Sequence, residues 1–172
     1  FDGARTLIDV GTGAGLPGIP LAVYAPHLTV TLLDSLNKRV RFLMEVTAAM
    51  GLSNVRCIHA RAEEAARTAE HRAAYDIAVS RAVARLPVLL EYALPFVRIG
   101  GTLLAFKGRA YAEEQKEARR AAEVLGGGRI TARPVRLPGL DDVRAMLTVT
   151  KERQTPAAYP RGGGAPTRRP IV

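Results

Sequence analysis

The sequence predicts an α/β protein of Rossmann-like build: a mostly parallel sheet, helices on both faces, and a C-terminal antiparallel strand pair. Three observations carry this. Short apolar runs alternate with amphipathic stretches along 6–125, the pattern of strand–helix–strand units. The first run leads straight into a glycine-rich turn over 11–18. The last two runs have no helix-length spacer between them, only a turn at Pro138 and Gly139.

In chain order, TLIDV at 6–10 reads as a buried strand. A helix is expected over 16–24, with Pro17 in its first turn and Pro20 shortening or bending it. TVTLLD at 29–34 is the second strand; Ser35 caps a helix that runs to Met50 and stops at Gly51. A third strand covers 54–59 and a helix 63–72. YDIAVS at 75–80 is the fourth strand, followed by a helix over 86–97. Gly100 and Gly101 turn the chain into a fifth strand, TLLAFK at 102–107. A polar helix over 111–125 ends at Gly126–Gly128, and strands over 130–137 and 145–150 close the sheet. The stretch 154–172, rich in Pro, Gly and Arg, is expected to lack regular structure, which divides the chain into a domain at 1–153 and a basic tail.

A chain of 172 residues fits one compact domain, and 48% hydrophobic residues are enough for a real core. Charges interrupt every apolar stretch too early for a membrane-spanning helix, so no membrane partner is expected. The chain opens on Phe1 and almost at once on a strand, as a piece of a longer protein would. The lone Cys57 excludes an internal disulfide framework and suits a reducing compartment such as the cytoplasm. His27, His59 and His71 have no metal-ligand spacing, and no metal is expected. The net charge of +9 favours a polyanionic partner, nucleic acid above all, although an arginine-rich proteome gives the same balance.

The glycine loop supports two readings. Gly11, Gly13 and Gly15 form G-x-G-x-G, while Gly13, Gly15 and Gly18 form the dinucleotide pattern G-x-G-x-x-G. Asp9 favours the first. A carboxylate at the end of strand one would repel a pyrophosphate but helps the sulfonium and ammonium of S-adenosylmethionine; the plain alternative is that it binds loop amides. Asp34, 19 residues after Gly15 at the end of strand two, is placed to accept ribose hydroxyls in either case. Glu63 follows strand three, where an adenine edge would lie, or serves only as a first-turn helix acid.

Strand four ends in Ser80-Arg81-Ala82, without an Asn/Asp-Pro-Pro-Tyr set for an amino group and without a cysteine nucleophile. No general base is evident, which suits an acceptor such as N7 of guanine that needs no deprotonation. Catalysis would then rest on alignment. Arg81 is the candidate catalytic residue, able to contact cofactor or base, with a strand-end ion pair as the alternative. Lys38, Arg39 and Arg41 on helix two, Lys107 after strand five, and Arg161 within a basic C-terminal group are candidate RNA contacts. An NAD(P)-dependent oxidoreductase and a non-enzymatic RNA-binding or assembly factor stay open as other classes.

Several motifs in order resemble the bacterial RsmG (GidB) family. They are the loop Ile8 through Pro20, the run Leu32 through Leu43, Arg61-Ala62-Glu63-Glu64, Ser80 through Ala84, Phe106-Lys107-Gly108, and the ending from Thr155 through Tyr159-Pro160-Arg161 to Pro166. The resemblance spans essentially the whole chain. It implies a Rossmann-like class I S-adenosylmethionine-dependent methyltransferase that modifies guanine N7 in the 530 loop of 16S ribosomal RNA. It also implies cofactor contacts at Gly11, Leu16, Asp34, Ser35, Leu36, Ala62, Glu63 and Arg81; Leu16 and Ala62 come from the resemblance alone. The implied partner is 16S rRNA or the small ribosomal subunit, and nothing in the sequence demands a dimer, so a monomer is expected. Family members usually carry a helical segment before the first strand, where this chain begins.

Overall fold

A computed structural model describes residues 3–136, 138–139 and 143–172. Seven strands form one sheet in the order β3-β2-β1-β4-β5-β7-β6. They are β1 (Thr6–Val10), β2 (Thr29–Asp34), β3 (Val55–His59), β4 (Tyr75–Arg81), β5 (Val97–Lys107), β6 (Gly127–Val135) and β7 (Arg144–Lys151). The first five are mutually parallel; β7 runs antiparallel to β5, and β6 to β7. Leu137, where the sequence ends its sixth strand, lies outside the described residues.

Two apolar layers cover the sheet. On one face α1 (Gly18–Tyr24) and α2 (Asn37–Ala49) pack Ile19, Ala22 and Leu43 against Leu7, Val30, Leu32 and Val79. On the other, α3 (Ala62–Ala65), α4 (Leu86–Ala93), α5 (Tyr111–Glu117) and α6 (Arg119–Val124) enclose a larger core around Leu89, Phe96, Leu103 and Leu147. Strand order reverses between β1 and β4. In open α/β sheets that switch point leaves a crevice beyond the carboxyl ends of the strands.

The boundaries differ from the sequence expectation for local reasons. α1 starts at Gly18 rather than 16, and Pro20 sits in its first turn, where an N–H has no intrahelical partner to lose. Ser35 does not cap α2; Leu36 is the cap residue, and its N–H donates to Asp34 Oδ1 at 2.9 Å. α3 is a single turn, not a helix to 72: Thr68 Oγ1 donates to Ala65 O at 2.9 Å, and the chain proceeds through turns. Pro95 ends α4 in a 3-10 turn, after which β5 begins at Val97. The polar helix breaks at Ala118 into α5 and α6.

The C-terminal segment also departs from expectation. It carries a turn of helix, α7 (Ala165–Arg168), and is fastened to the domain. Arg72 donates to Thr155 O at 2.9 Å and Tyr159 O at 3.0 Å, and Arg67 Nε to Pro160 O at 3.0 Å. Lys151, 1% exposed, donates from Nζ to Leu94 O at 2.9 Å, Leu125 O at 3.0 Å and the Thr155 hydroxyl. Burial pushes its ammonium down to about 7, with the charge of Arg72 adding to the effect.

Candidate functional site

The glycine loop crosses the crevice between β1 and α1. Its first turn is tied to β2 by the N–H groups of Gly11 and Thr12, which donate to Leu33 O at 2.9 and 3.0 Å. Gly11 needs to be glycine twice over. Its φ is +70°, and a Cβ there would meet Val83 Cγ2 at 2.6 Å. Gly18 serves packing: a Cβ would fall 2.3 Å from Leu32 Cδ2 and 2.9 Å from Asp9 Oδ2. The third glycine of the dinucleotide pattern thus seats α1 on the sheet, a role that either reading of the loop requires.

Asp9 does not face the crevice. Its side chain is fully buried, and Oδ2 accepts the Thr12 hydroxyl at 2.7 Å and the Gly18 N–H at 2.8 Å. These bonds are the loop-building role that the sequence left open beside a contact with a cationic ligand. Burial pushes this carboxyl up to about 6, against the bonds from Thr12 and Gly18 and the positive charge of Arg81.

Asp34 joins loop to helix. Oδ2 accepts the Gly13 N–H at 2.9 Å, Oδ1 the Leu36 N–H at 2.9 Å, and Arg39 approaches Oδ2 at 3.5 Å. The structure places Gly11, Asp34, Ser35, Ala62 and Glu63 around one cavity of about 160 Å³, which Val83 and Tyr92 also line. Glu63 is buried beside Arg61 Nη1 at 3.5 Å. Gly13 and Gly15 shape the same loop with φ of +61° and +90°. An open glycine turn, a carboxylate at the end of β2 and an acid after β3 suit a nucleoside with two vicinal hydroxyls.

A second, larger cavity of about 1100 Å³ adjoins it, bordered by Leu16, Pro17, Arg81, Phe106, Lys107 and Met146. Val83 borders both. It follows Ala82, whose φ of +57° is left-handed backbone that costs a non-glycine residue energy. Arg81 is exposed at the end of β4, where the switch point opens.

Two of the expected RNA contacts form ion pairs within the domain. Lys107 is 8% exposed; its ammonium pairs with Glu114 at 2.8 Å and donates to Ala84 O. Arg161 forks onto Glu91, with Nη2 at 2.6 Å from Oε2 and Nε at 2.9 Å from Oε1. Both cations answer a carboxylate from a helix on the core side, a pairing that only the fold brings together. Lys38 and Arg41 remain exposed on α2 beside Phe42, while Arg39 leans on Asp34. The sequence expectation missed Val83, Phe106, Met146 and the arginines of β6 and β7. Alternation of Arg133 and Val135 opposite Met146 and Arg144 was the available signal. Among the described residues, no group of three or more His, Cys, Asp or Glu side chains could hold a metal, and no helix is long and apolar enough to cross a membrane.

Residues 1–135 match the family model described as GidB, rRNA small subunit methyltransferase G. Curated relatives named ribosomal RNA small subunit methyltransferase G include one from Alkaliphilus metalliredigens, 51% identical over 166 residues, covering 96% of this chain and 70% of the relative. Another, from Deinococcus radiodurans, is 48% identical over 171 residues, covering 99% of this chain and 68% of the relative. Among solved structures, a predicted O-methyltransferase from Agrobacterium tumefaciens superposes with a TM-score of 0.70 at 19% identity, covering 87% of this chain and 74% of that one. A T. thermophilus 16S rRNA N2 methyltransferase in complex with AdoMet and guanosine gives 0.60 at 22% identity, covering 88% of this chain and 36% of that one. These structural likenesses concern the fold.

Proposed function

The chain belongs to the GidB family, rRNA small subunit methyltransferase G, and from that premise we propose that it transfers a methyl group from S-adenosylmethionine to N7 of a guanine in the 530 loop of 16S rRNA. The observation that carries the cofactor assignment is the cavity joining Gly11, Asp34, Ser35, Ala62 and Glu63 at the switch point. Asp34 accepts the ribose hydroxyls, exchanging part of its hold on the loop; Glu63 and Ala62 border the adenine; Leu16 stands at the boundary with the larger cavity. When bound, S-adenosylmethionine supplies an electrophilic methyl group on a positively charged sulfur.

The chain's residues then have to align an acceptor rather than activate it. N7 of guanine already offers a lone pair, and among the described residues no side chain of the larger cavity is set up as a base: the one acid among them, Glu114, is held by Lys107 and by the Leu86 N–H at 2.7 Å. Orientation alone supplies roughly 7–11 kcal/mol in favourable cases. Arg81 orients the base from the end of β4, and its fixed positive charge stands next to the buried Asp9 carboxylate.

The test is methyl transfer from labelled S-adenosylmethionine to small-subunit RNA from cells lacking this modification, with the product mapped by borohydride–aniline cleavage at 7-methylguanosine. A single cut in the 530 loop is expected, and Arg81→Ala should abolish it while S-adenosylhomocysteine still raises the melting temperature. Stabilisation by NAD and not by S-adenosylhomocysteine would overturn the cofactor. A cut at another site would overturn the substrate.

A further inference from the structure

Residues paired directly across neighbouring strands put their side chains on the same face of a sheet. The register pairs Arg81 with Phe106, Phe106 with Met146, and Met146 with Arg133. One row of side chains therefore crosses β4, β5, β7 and β6 where the parallel strands end. It reads cation, aromatic, thioether, cation, and all four residues border the cavity of about 1100 Å³. Strands lie about 4.8 Å apart, so the backbones at Arg81 and Arg133 stand about 14 Å apart, with an apolar floor between them. Phe106 is 37% exposed.

We infer that this row seats the acceptor: the target guanine stacks on Phe106 and Met146, and the phosphates beside it lie on Arg133 and Arg136. The inference rests on the RNA-methyltransferase reading and names the part of the site that holds the base. Charge selects the occupant. Arg85 and Lys107 on the cavity border are taken by Glu117 and Glu114. Arg133 and Arg136 have no carboxylate partner among the described residues, and Arg81 forms no ion pair there although it feels the charge of the buried Asp9. An apolar floor between guanidinium groups that no described carboxylate pairs with matches a base with its phosphates, since every base offers a face for stacking and every nucleotide an anion. An apolar protein segment would leave those arginines desolvated and unpaired.

The experiment measures binding of a fluorescent RNA fragment of the 530 loop to the 172-residue chain by anisotropy across a salt series. Phe106→Leu keeps apolar bulk and removes the ring; RNA binding should weaken about tenfold. Phe106→Trp should restore it, and affinity for S-adenosylhomocysteine should stay within twofold in both. Arg133→Gln should reduce the slope of log affinity against log salt by about 0.7, one single-strand phosphate contact. Undiminished RNA binding by Phe106→Leu, or an unchanged slope for Arg133→Gln, overturns the inference. So does dimerisation that Phe106→Leu abolishes while RNA binding persists. If Phe106→Leu fails to fold, Phe106→Trp binding at the wild-type level together with the reduced Arg133→Gln slope still supports it, and loss of binding by Phe106→Trp overturns it. A wild-type chain that shows this Phe106 dependence and transfers no methyl group supports the platform and overturns the enzymatic reading alone.

Discussion

Replacing Arg161 with Met should unfold this protein more readily without touching its affinity for RNA. Arg161 is the natural candidate for a phosphate contact by charge, yet its guanidinium holds Glu91, whose carboxylate is 1% exposed. Removing one partner of a buried pair leaves an uncompensated charge and costs about 3–5 kcal/mol. The backbone N–H of Arg161 also donates to Glu91 Oε1, at 2.7 Å, and survives the substitution, so the lower end, about 3 kcal/mol, is expected. With a urea slope of about 2 kcal/mol per molar, the midpoint falls by roughly 1.5 M, and the melting temperature by about 6–12 °C. Urea unfolding measures the first effect; RNA anisotropy across a salt series measures the second, with the same slope as wild type. Combining Glu91→Leu with Arg161→Met should recover part of the loss, because the stranded charge is gone. Unchanged stability with a shallower salt slope would refute this and restore Arg161 to the RNA surface.

Two further outcomes follow from the loop. Asp34→Ala removes the acceptor for the Gly13 and Leu36 N–H groups along with the ribose contact, so calorimetry should show S-adenosylhomocysteine affinity falling at least tenfold; unchanged affinity refutes the ribose role. Asp9 has a folded pKa of about 6 against a reference of 3.8, so the native state holds its proton more tightly and the cost of burying the charge, about 3 kcal/mol at most, is absent below pH 4 and complete above pH 6. Asp9→Asn should therefore gain stability relative to wild type as pH rises from 4 to 7, and a pH-independent difference in urea unfolding refutes it.

The sequence by itself determined the strands and the loop. Strands β1, β2 and β4 show their apolar runs plainly because both faces are covered, and the glycines of the loop are visible because three of them, Gly11, Gly13 and Gly15, hold left-handed backbone that favours glycine. Asp34 and Glu63 were legible because the ends of consecutive parallel strands converge on one edge, so their position in the chain implies their position in space. Helix limits were less legible, since the Thr68 hydroxyl bond and the missing N–H of Pro95 end helices locally whatever the periodicity.

Only the tertiary structure decided what each charge does. Asp9, Lys107 and Arg161 look like site residues by type and place, and each also has a partner inside the domain: the N–H of Gly18 on one oxygen of Asp9, Glu114 on Lys107 and Glu91 on Arg161. Those pairings join residues 9, 7 and 70 positions apart, and the cost of burying a charge makes partners mandatory once the chain is packed. Conversely, Arg133 and Phe106 are ordinary residues on separate strands until the antiparallel register of β7 lays Met146 between them. A one-residue slip would turn that row to the other face, and register is set by the packing of the whole sheet, which no single segment of sequence contains.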